Sequence, residues 1–289
     1  FYYVAQYKSF SKAADVMGNN QPNITRCMNI LENELGCKLF IRSNRGVQLT
    51  IEGERLFEHV SIAIEQLVSG ENELLKDKGL ESGLVNIGAS EIALHLFLLN
   101  ELEVFHHHYP HVKLRISNHS TPQAVQALEN GLVDFAVIST PVALKKPLQR
   151  IPLYSFHEIL IGGEEYAEMA SKKHSLQELQ DIPLIGIAPG TSTRELYTQY
   201  FMRHNLPFSP DMEVATTDQI LPMIQHNLGI GFLPEELAAE HIANGKIVQI
   251  PIVEPLPERK ICLIRNVKRP QSIAARSLEE HLTSHRETE

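Results

Sequence analysis

Between residues 9 and 53, small apolar residues, helix caps, a tight turn and a basic hairpin follow one another in an order that leaves few folds open. The stretch opens with Ser9-Phe10-Ser11-Lys12-Ala13-Ala14 and continues with Asn20-Gln21-Pro22-Asn23-Ile24-Thr25-Arg26. Leu35-Gly36-Cys37-Lys38-Leu39-Phe40 and Arg42-Ser43-Asn44-Arg45-Gly46 come next, and Leu49-Thr50-Ile51-Glu52-Gly53 closes it. Ser9 or Ser11 is suited to cap a helix whose apolar face is Ala13, Ala14 and Met17, and Gly18-Asn19 then turns the chain. Asn20 caps the next helix. Pro22 fits its first turn, where the amides have no intrahelical partner, and Ile24, Met28, Leu31 and Leu35 recur at helical spacing as its buried face. That leaves Gln21, Asn23, Thr25 and Arg26 on the leading, outward end. Short polar side chains and a guanidinium at a helix N-terminus, where the amide dipoles also favour phosphate, suit base edges and backbone of a DNA duplex. The order of parts is that of a winged helix-turn-helix. A plain solvated helical hairpin is the competing reading, and it does not account for cap, turn and basic hairpin occurring together.

Charge is distributed to match. The chain of 289 residues carries a formal charge of -9, yet residues 1–50 hold Lys8, Lys12, Arg26, Lys38, Arg42 and Arg45 against Asp15, Glu32 and Glu34. Six cations less three anions is +3, which leaves -12 for the remainder, so only the N-terminal module is basic and the acidic bulk repels a polyanion. The length suits a small domain followed by a larger two-lobed one. No apolar run reaches membrane-spanning length, and Phe1 to Tyr7 lack the basic start and cleavage site of a signal peptide, so a cytoplasmic location is expected. The chain starts without methionine, at a point expected to lie inside a helix of the motif, so a few residues are expected to precede Phe1. Cys27, Cys37 and Cys262 are too scattered for a zinc knuckle or a redox pair, and Cys262 alone lies in the C-terminal region, within an apolar strand.

Thr50 begins a helix expected to run to about Lys78. Phe57, Val60, Ile64, Leu67 and Leu74 recur along it at spacings suited to a heptad seam, flanked by Glu54, Arg55, Glu58, Glu65, Glu73 and Lys76. Dimerisation through this seam is preferred to packing on the helix's own chain, and Gly79 to Gly83 mark the boundary that follows. From Leu84 strands and helices alternate, with strands at Leu84–Gly88, Val112–Ser117 and Phe135–Ile138 and helices at 91–108 and Pro122–Asn130 between them, the order of a parallel α/β sheet. A second set follows: strands at Ile159–Ile161, Leu184–Ile187, Met212–Val214 and Ile230–Leu233, with helices at about Arg194–His204 and Ile220–His226. Two lobes therefore share one chain. Ligands of such folds sit beyond the strand carboxyl ends, so the cleft between lobes is the expected pocket. Hydroxyls gather after those strand ends: Ser90; Ser120 and Thr121; Ser139 and Thr140; Thr191, Ser192 and Thr193. Three of these groups stand at helix starts, where caps and positive dipole ends together describe an anion site. The competing reading is that each hydroxyl only caps its own helix.

On the motifs of residues 9–53 the chain resembles the LysR-type transcriptional regulators, and the resemblance extends over essentially its whole length. It implies an α plus α/β protein: an N-terminal winged helix-turn-helix over 1–50, a long linker and dimerisation helix over 51–80, and an effector-binding domain over 84–289 folded like a periplasmic binding protein. Lobe I is then 84–155 with 256–289, to which the strand at Ile261–Ile264 and a helix from Gln271 to about His285 return, and lobe II is 156–255. By the same resemblance Gln21, Pro22, Asn23 and Arg26 contact the major groove, and Arg42 and Arg45 belong to the wing. Ser90, Thr121, Ser139 and Thr191 to Thr193 line the effector pocket. Cys27 and Asn29 depart from residues the family more often uses, which bears on the preferred DNA sequence. Expected partners are double-stranded DNA, a small effector, a second or further copies in a homodimer or homotetramer, and RNA polymerase; no cofactor, metal or membrane is expected.

No arginine other than Arg194 stands at a cleft position, so a monoanion or neutral polar compound is expected rather than a dicarboxylate. His106-His107-His108 point about 100° apart on a helix and cannot share one ion well. Nucleophile elbows and phosphate-binding glycine loops are absent from the sequence, so no enzyme is expected. A solute-binding protein is the alternative that the two-lobed region alone would suggest, and the basic N-terminal module argues against it.

Overall fold

In the computed structural model, residues 1–43, 46–75 and 82–284 are described, and the chain divides into two compact units, Phe1–Asp77 and Lys78–Glu289. The first begins with helices α1 (Tyr2–Tyr7), α2 (Phe10–Val16) and α3 (Gln21–Leu35), followed by the antiparallel pair β1 (Phe40–Ser43) and β2 (Gly46–Leu49) and the long helix α4 (Ile51–Leu75). Ser9 caps α2 by accepting from the Lys12 amide at 3.3 Å, and Asn20 caps α3 by accepting from the Asn23 amide at 3.0 Å. Thr50 holds the start of α4 from both sides, donating to the Lys38 carbonyl (2.6 Å) and accepting from the Gly53 amide (3.0 Å). The core is Val4, Phe10, Ala13, Ala14, Ile24, Met28, Leu39 and Phe40, with Leu31, Leu56 and Phe57 against it.

Two residues read from the sequence as buried are not. Met17 follows the last turn of α2 and is exposed, and Leu35, the last residue of α3, is 50% exposed. Gly36 takes a left-handed conformation there (φ 68°), turning the chain before Leu35 can reach the core. Glu32, although polar, is buried at 5% exposed; its Oε1 accepts from the Leu39 amide (2.9 Å) and the Phe40 amide (3.3 Å) and its Oε2 pairs with Lys38 (2.7 Å). A buried carboxylate therefore ties the recognition-type helix to the first strand of the wing.

The second unit carries two five-stranded sheets. Its strands are β3 (Gly83–Ala89), β4 (Val112–Asn118), β5 (Phe135–Ser139), β6 (Leu148–Phe156), β7 (Glu158–Gly163), β8 (Leu184–Ile187), β9 (Met212–Val214), β10 (Ile230–Pro234), β11 (Ile247–Gln249) and β12 (Arg259–Asn266). The helices are α5 (Glu91–Ala93), continued through a π turn at Leu94–Leu98 into α6 (Leu99–His108), then α7 (Thr121–Asn130), α8 (Ser192–Arg203), α9 (Ile220–Gln225), α10 (Glu235–Ala243) and α11 (Ile273–Ser284). One sheet has the order β4-β3-β5-β12-β6 and the other β11-β7-β10-β8-β9. The chain passes from the first sheet to the second at His157 and returns between Gln249 and Arg259.

The parallel arrangement expected for the strands between Leu84 and Ile138 is present, but each sheet as a whole is mixed. β4, β3 and β5 are parallel, but β12 runs antiparallel to both β5 and β6; in the second sheet β10, β8 and β9 are parallel while β7 opposes β10 and β11. Each crossing between lobes reverses the direction in which a strand enters its sheet. Strands β6 and β11 escaped the sequence reading because neither alternates cleanly: β6 contains Pro152, tolerated on an edge strand, and β11 has only three residues. Core clusters lie on both faces of the sheets, including Val85, Ile87, Phe135, Leu263 and Leu278 in the first lobe and Leu160, Tyr197, Phe201 and Phe232 in the second.

Candidate functional site

In the first unit the leading turns of α3 are open. Gln21, Pro22, Asn23 and Arg26 are exposed, Thr25 is half-buried, and the alternation is completed by Ile24 and Met28 facing the core. Asn23 is steadied by Asn19, to whose Oδ1 it donates at 3.2 Å, and Gln21 reaches the Thr25 hydroxyl at 3.5 Å. Arg26 makes no hydrogen bond or ion pair among the described residues, so its guanidinium is unencumbered. An amide-rich helix end with polar side chains and a free guanidinium is a surface for phosphate and base edges. Arg42 stands in β1, and Arg45 lies outside the described residues.

The residues expected at the seam of α4 separate along the helix. Phe57 stacks on Tyr2 (centroids 5.8 Å apart) and packs on the core of its own unit. Val60 and Ile64 are half-buried, Leu67 is 65% exposed, and Leu74 lies near the helix end.

The second unit gathers Ser90, Ser120, Thr121, Ser139, Thr191, Ser192 and Thr193 around one cavity of about 420 Å³ between its lobes. Each hydroxyl is placed by a strand end or a helix start. Ser90, between β3 and α5, accepts from the amides of Ala93 (3.4 Å) and Ser139 (3.2 Å). Ser120 forms a capping box with Gln123 at the head of α7, and Thr121 donates to the Ser139 carbonyl at 3.2 Å. Thr191 caps α8 through the Arg194 amide at 3.1 Å. Capping and cavity lining coexist in the same residues, so the two readings of the sequence are not exclusive. His119 also lines the cavity, and burial lowers the pKa of its ring below the usual histidine value, which leaves it neutral at pH 7. Glu91 at the rim is engaged by His95 (2.8 Å) and by the Asn118 amide (2.5 Å).

Arg194 does not supply the cleft cation that its position suggests. Its guanidinium turns to Glu213 (2.5 Å) and the Ile187 carbonyl (3.0 Å) and lies over the Phe208 ring. A different arginine stands behind the cleft wall. Arg259, 1% exposed at the start of β12, donates from Nε to the Thr140 carbonyl (2.8 Å) and from Nη1 to Glu158 (2.6 Å). Its Nη2 donates to the hydroxyls of Ser139 (3.0 Å) and Thr193 (3.1 Å). The second oxygen of Glu158 accepts from the Tyr197 phenol at 2.6 Å. Burial, with the neighbouring Glu158 charge, pushes the Tyr197 hydroxyl well above its ordinary pKa, so it remains a donor. Sequence reasoning missed all three members. Glu158 and Arg259 each begin an apolar strand, the one local sign available, but they are 101 positions apart. His106, His107 and His108 are exposed at the end of α6.

A helix-turn-helix that is net basic over residues 1–50 and has an open recognition-type helix, joined to a two-lobed unit with a polar interlobe cavity, defines a ligand-responsive DNA-binding protein. Residues 1–54 match the bacterial regulatory helix-turn-helix protein, lysR family, and residues 78–287 match the LysR substrate binding domain, so the chain belongs to the LysR family. It is a LysR-type DNA-binding transcriptional regulator with an effector-binding domain. The HTH-type transcriptional regulator BbuR of Bordetella bronchiseptica is 28% identical over 90% of this chain and 78% of its own length. Full-length CbnR, solved in complex with its target DNA, has a similar fold (TM-score 0.73, 18% identity, 98% of this chain and 96% of that one). The effector binding domain of QuiR in complex with shikimate is similar to the second unit (TM-score 0.62, 17% identity, 71% of this chain and 97% of that one). No helix among the described residues is long and apolar enough to cross a membrane.

Proposed function

We propose that this regulator binds an interrupted inverted repeat as a homodimer or homotetramer and answers, in the cytoplasm, to a small monoanionic or neutral polar effector held in the interlobe cavity. The observation that carries the DNA half is the exposed first turns of α3, with Arg26 uncommitted. Gln21, Pro22, Asn23, Thr25 and Arg26 read the major groove, and Arg42 and Arg45 hold the adjacent backbone. Self-association through α4 is supported by Leu67 and Val68, which are exposed beyond the part of the helix that packs on its own unit. The solved complex of CbnR with DNA and that of QuiR with shikimate lend support, since both partners are of the proposed kinds.

Seven hydroxyl residues and three helix starts around the cavity favour a small polar ligand, and the engagement of Arg194 by Glu213 disfavours a dianion. The effector acts by shifting the population of lobe arrangements, so that half-sites are spaced differently and RNA polymerase is recruited or excluded. Binding without turnover is expected, and NMR of an added ligand should show it unchanged. Selection of duplexes from a random pool by the full chain tests the central reading. Enriched sequences should contain two inverted half-sites on one face, about one helical turn apart or a multiple of it; enrichment of a single half-site, or none, refutes it.

A further inference from the structure

We infer that Arg259 is the specificity-determining positioning residue of the interlobe cleft: it fixes the Ser139 and Thr193 hydroxyls as hydrogen-bond donors, so the cleft floor takes an acceptor-only group such as a single carboxylate. The inference rests on the proposed effector role of the cavity and assigns its polarity to one buried side chain.

The argument is one of donor and acceptor inventory. A guanidinium has five N–H donors and no acceptor. Arg259 Nη2 donates to Ser139 Oγ at 3.0 Å and to Thr193 Oγ1 at 3.1 Å, so both hydroxyl oxygens are already accepting. Neither hydroxyl proton has an acceptor among the described residues, and both residues line the cavity. Ser139 is 3% exposed, so its proton has little access to bulk water. Ser90 is constrained further, since its oxygen accepts from two amides, of Ala93 and Ser139, which occupies both of its lone pairs. The hydroxyl of Ser192, also buried and lining the cavity, has no hydrogen-bond partner among the described residues. Hydroxyls whose oxygens already accept therefore face one cavity from the first lobe (Ser90, Ser139) and the second (Thr193), each with a proton left to give.

A ligand group that only donates can use the one lone pair that Ser139 and Thr193 each retain but leaves their protons unpaired, whereas a carboxylate accepts from several at once. Arg259 does not contact the ligand, and its charge is balanced locally by Glu158 at 2.6 Å. That balance is why the floor selects by proton direction rather than by net positive charge, and why a second anionic group gains nothing. The same guanidinium joins the lobes, because Ser139 and Thr140 belong to the first while Glu158 and Thr193 belong to the second. A ligand drawn onto the three donors thus engages the contact that holds the lobes together.

Saturation-transfer NMR of the full chain with propionate and with its neutral isostere propionamide tests this. Propionate should bind at least about tenfold better, since the amide has one accepting oxygen where the carboxylate has two and leaves a hydroxyl proton without an acceptor. Arg259→Lys keeps the charge beside Glu158 but offers a compact ammonium that cannot span both hydroxyls, and should bring the propionate to propionamide ratio close to one. If that variant loses its melting transition, the Ser139→Ala, Thr193→Val double variant replaces it and should also abolish the preference. Equal binding of both probes to the parent, binding of neither, or a fall in both with the ratio unchanged would overturn the assignment. A protein that selects inverted repeats but shows no carboxylate preference keeps the regulatory reading and loses this one; one that selects no duplex loses the reading beneath it.

Discussion

Replacing Glu32 by alanine should destabilise the DNA-binding unit far more than replacing it by glutamine, and the geometry gives the sizes. One oxygen, Oε1, serves both wing amides, those of Leu39 (2.9 Å) and Phe40 (3.3 Å), and both residues are buried. Alanine leaves the two amides without a partner, a loss of about 2–4 kcal/mol given the usual penalty for unpaired buried groups. Glutamine keeps an oxygen in that place. What it loses is the Lys38 contact, and because Lys38 is 71% exposed that pair contributes no more than about 1 kcal/mol. Burial alone would raise the Glu32 carboxyl pKa, but the hydrogen bonds from Lys38, Leu39 and Phe40 outweigh it and hold it below its ordinary value. A group with a lowered folded pKa contributes fully above its unfolded value and loses that contribution as pH falls through the folded one. Glu32→Gln should therefore flatten the acid limb of the unit's stability. Urea melts followed by circular dichroism at several pH values, with hydrogen exchange at the Leu39 and Phe40 amides, measure these quantities. Equal losses in the two variants, or an alanine variant as stable as the parent, would refute the idea that the carboxylate anchors the wing.

Other changes have equally definite outcomes. Arg26→Ala should weaken specific DNA binding by about 1–3 kcal/mol in a mobility-shift titration, while Arg45→Ala should weaken binding to all sequences alike and reduce the salt slope by about one. Gly53→Ala should destabilise the first unit by about 1–3 kcal/mol in a thermal melt, because the added carbon would lie 2.2 Å from the Leu39 carbonyl oxygen and force the α4 start away from the wing. His119, with its pKa lowered by burial, resists protonation when folded, so stability should fall as pH drops below the ordinary histidine range. His119→Gln should remove that part of the pH dependence.

What the residues declare locally was readable from their order. Ser9 and Asn20 are caps because a hydroxyl or amide oxygen three residues before an unpaired amide has a partner close at hand, and Ile24 and Met28 face inward because helical spacing puts them there. The alternation of strands and helices after Leu84, and the hydroxyls that follow strand ends, were legible for the same reason. Tertiary structure decided the rest. Glu32 is buried, although polar, because it accepts from two wing amides that no helical pattern reveals, while Leu35 is left exposed at the helix end. β12 enters its sheet antiparallel because the chain returns from the other lobe, a matter of path and not of side-chain period. Arg259, Glu158 and Tyr197 meet only when both lobes are folded, and burying a charge among apolar strands is favourable only once its distant partners are in place.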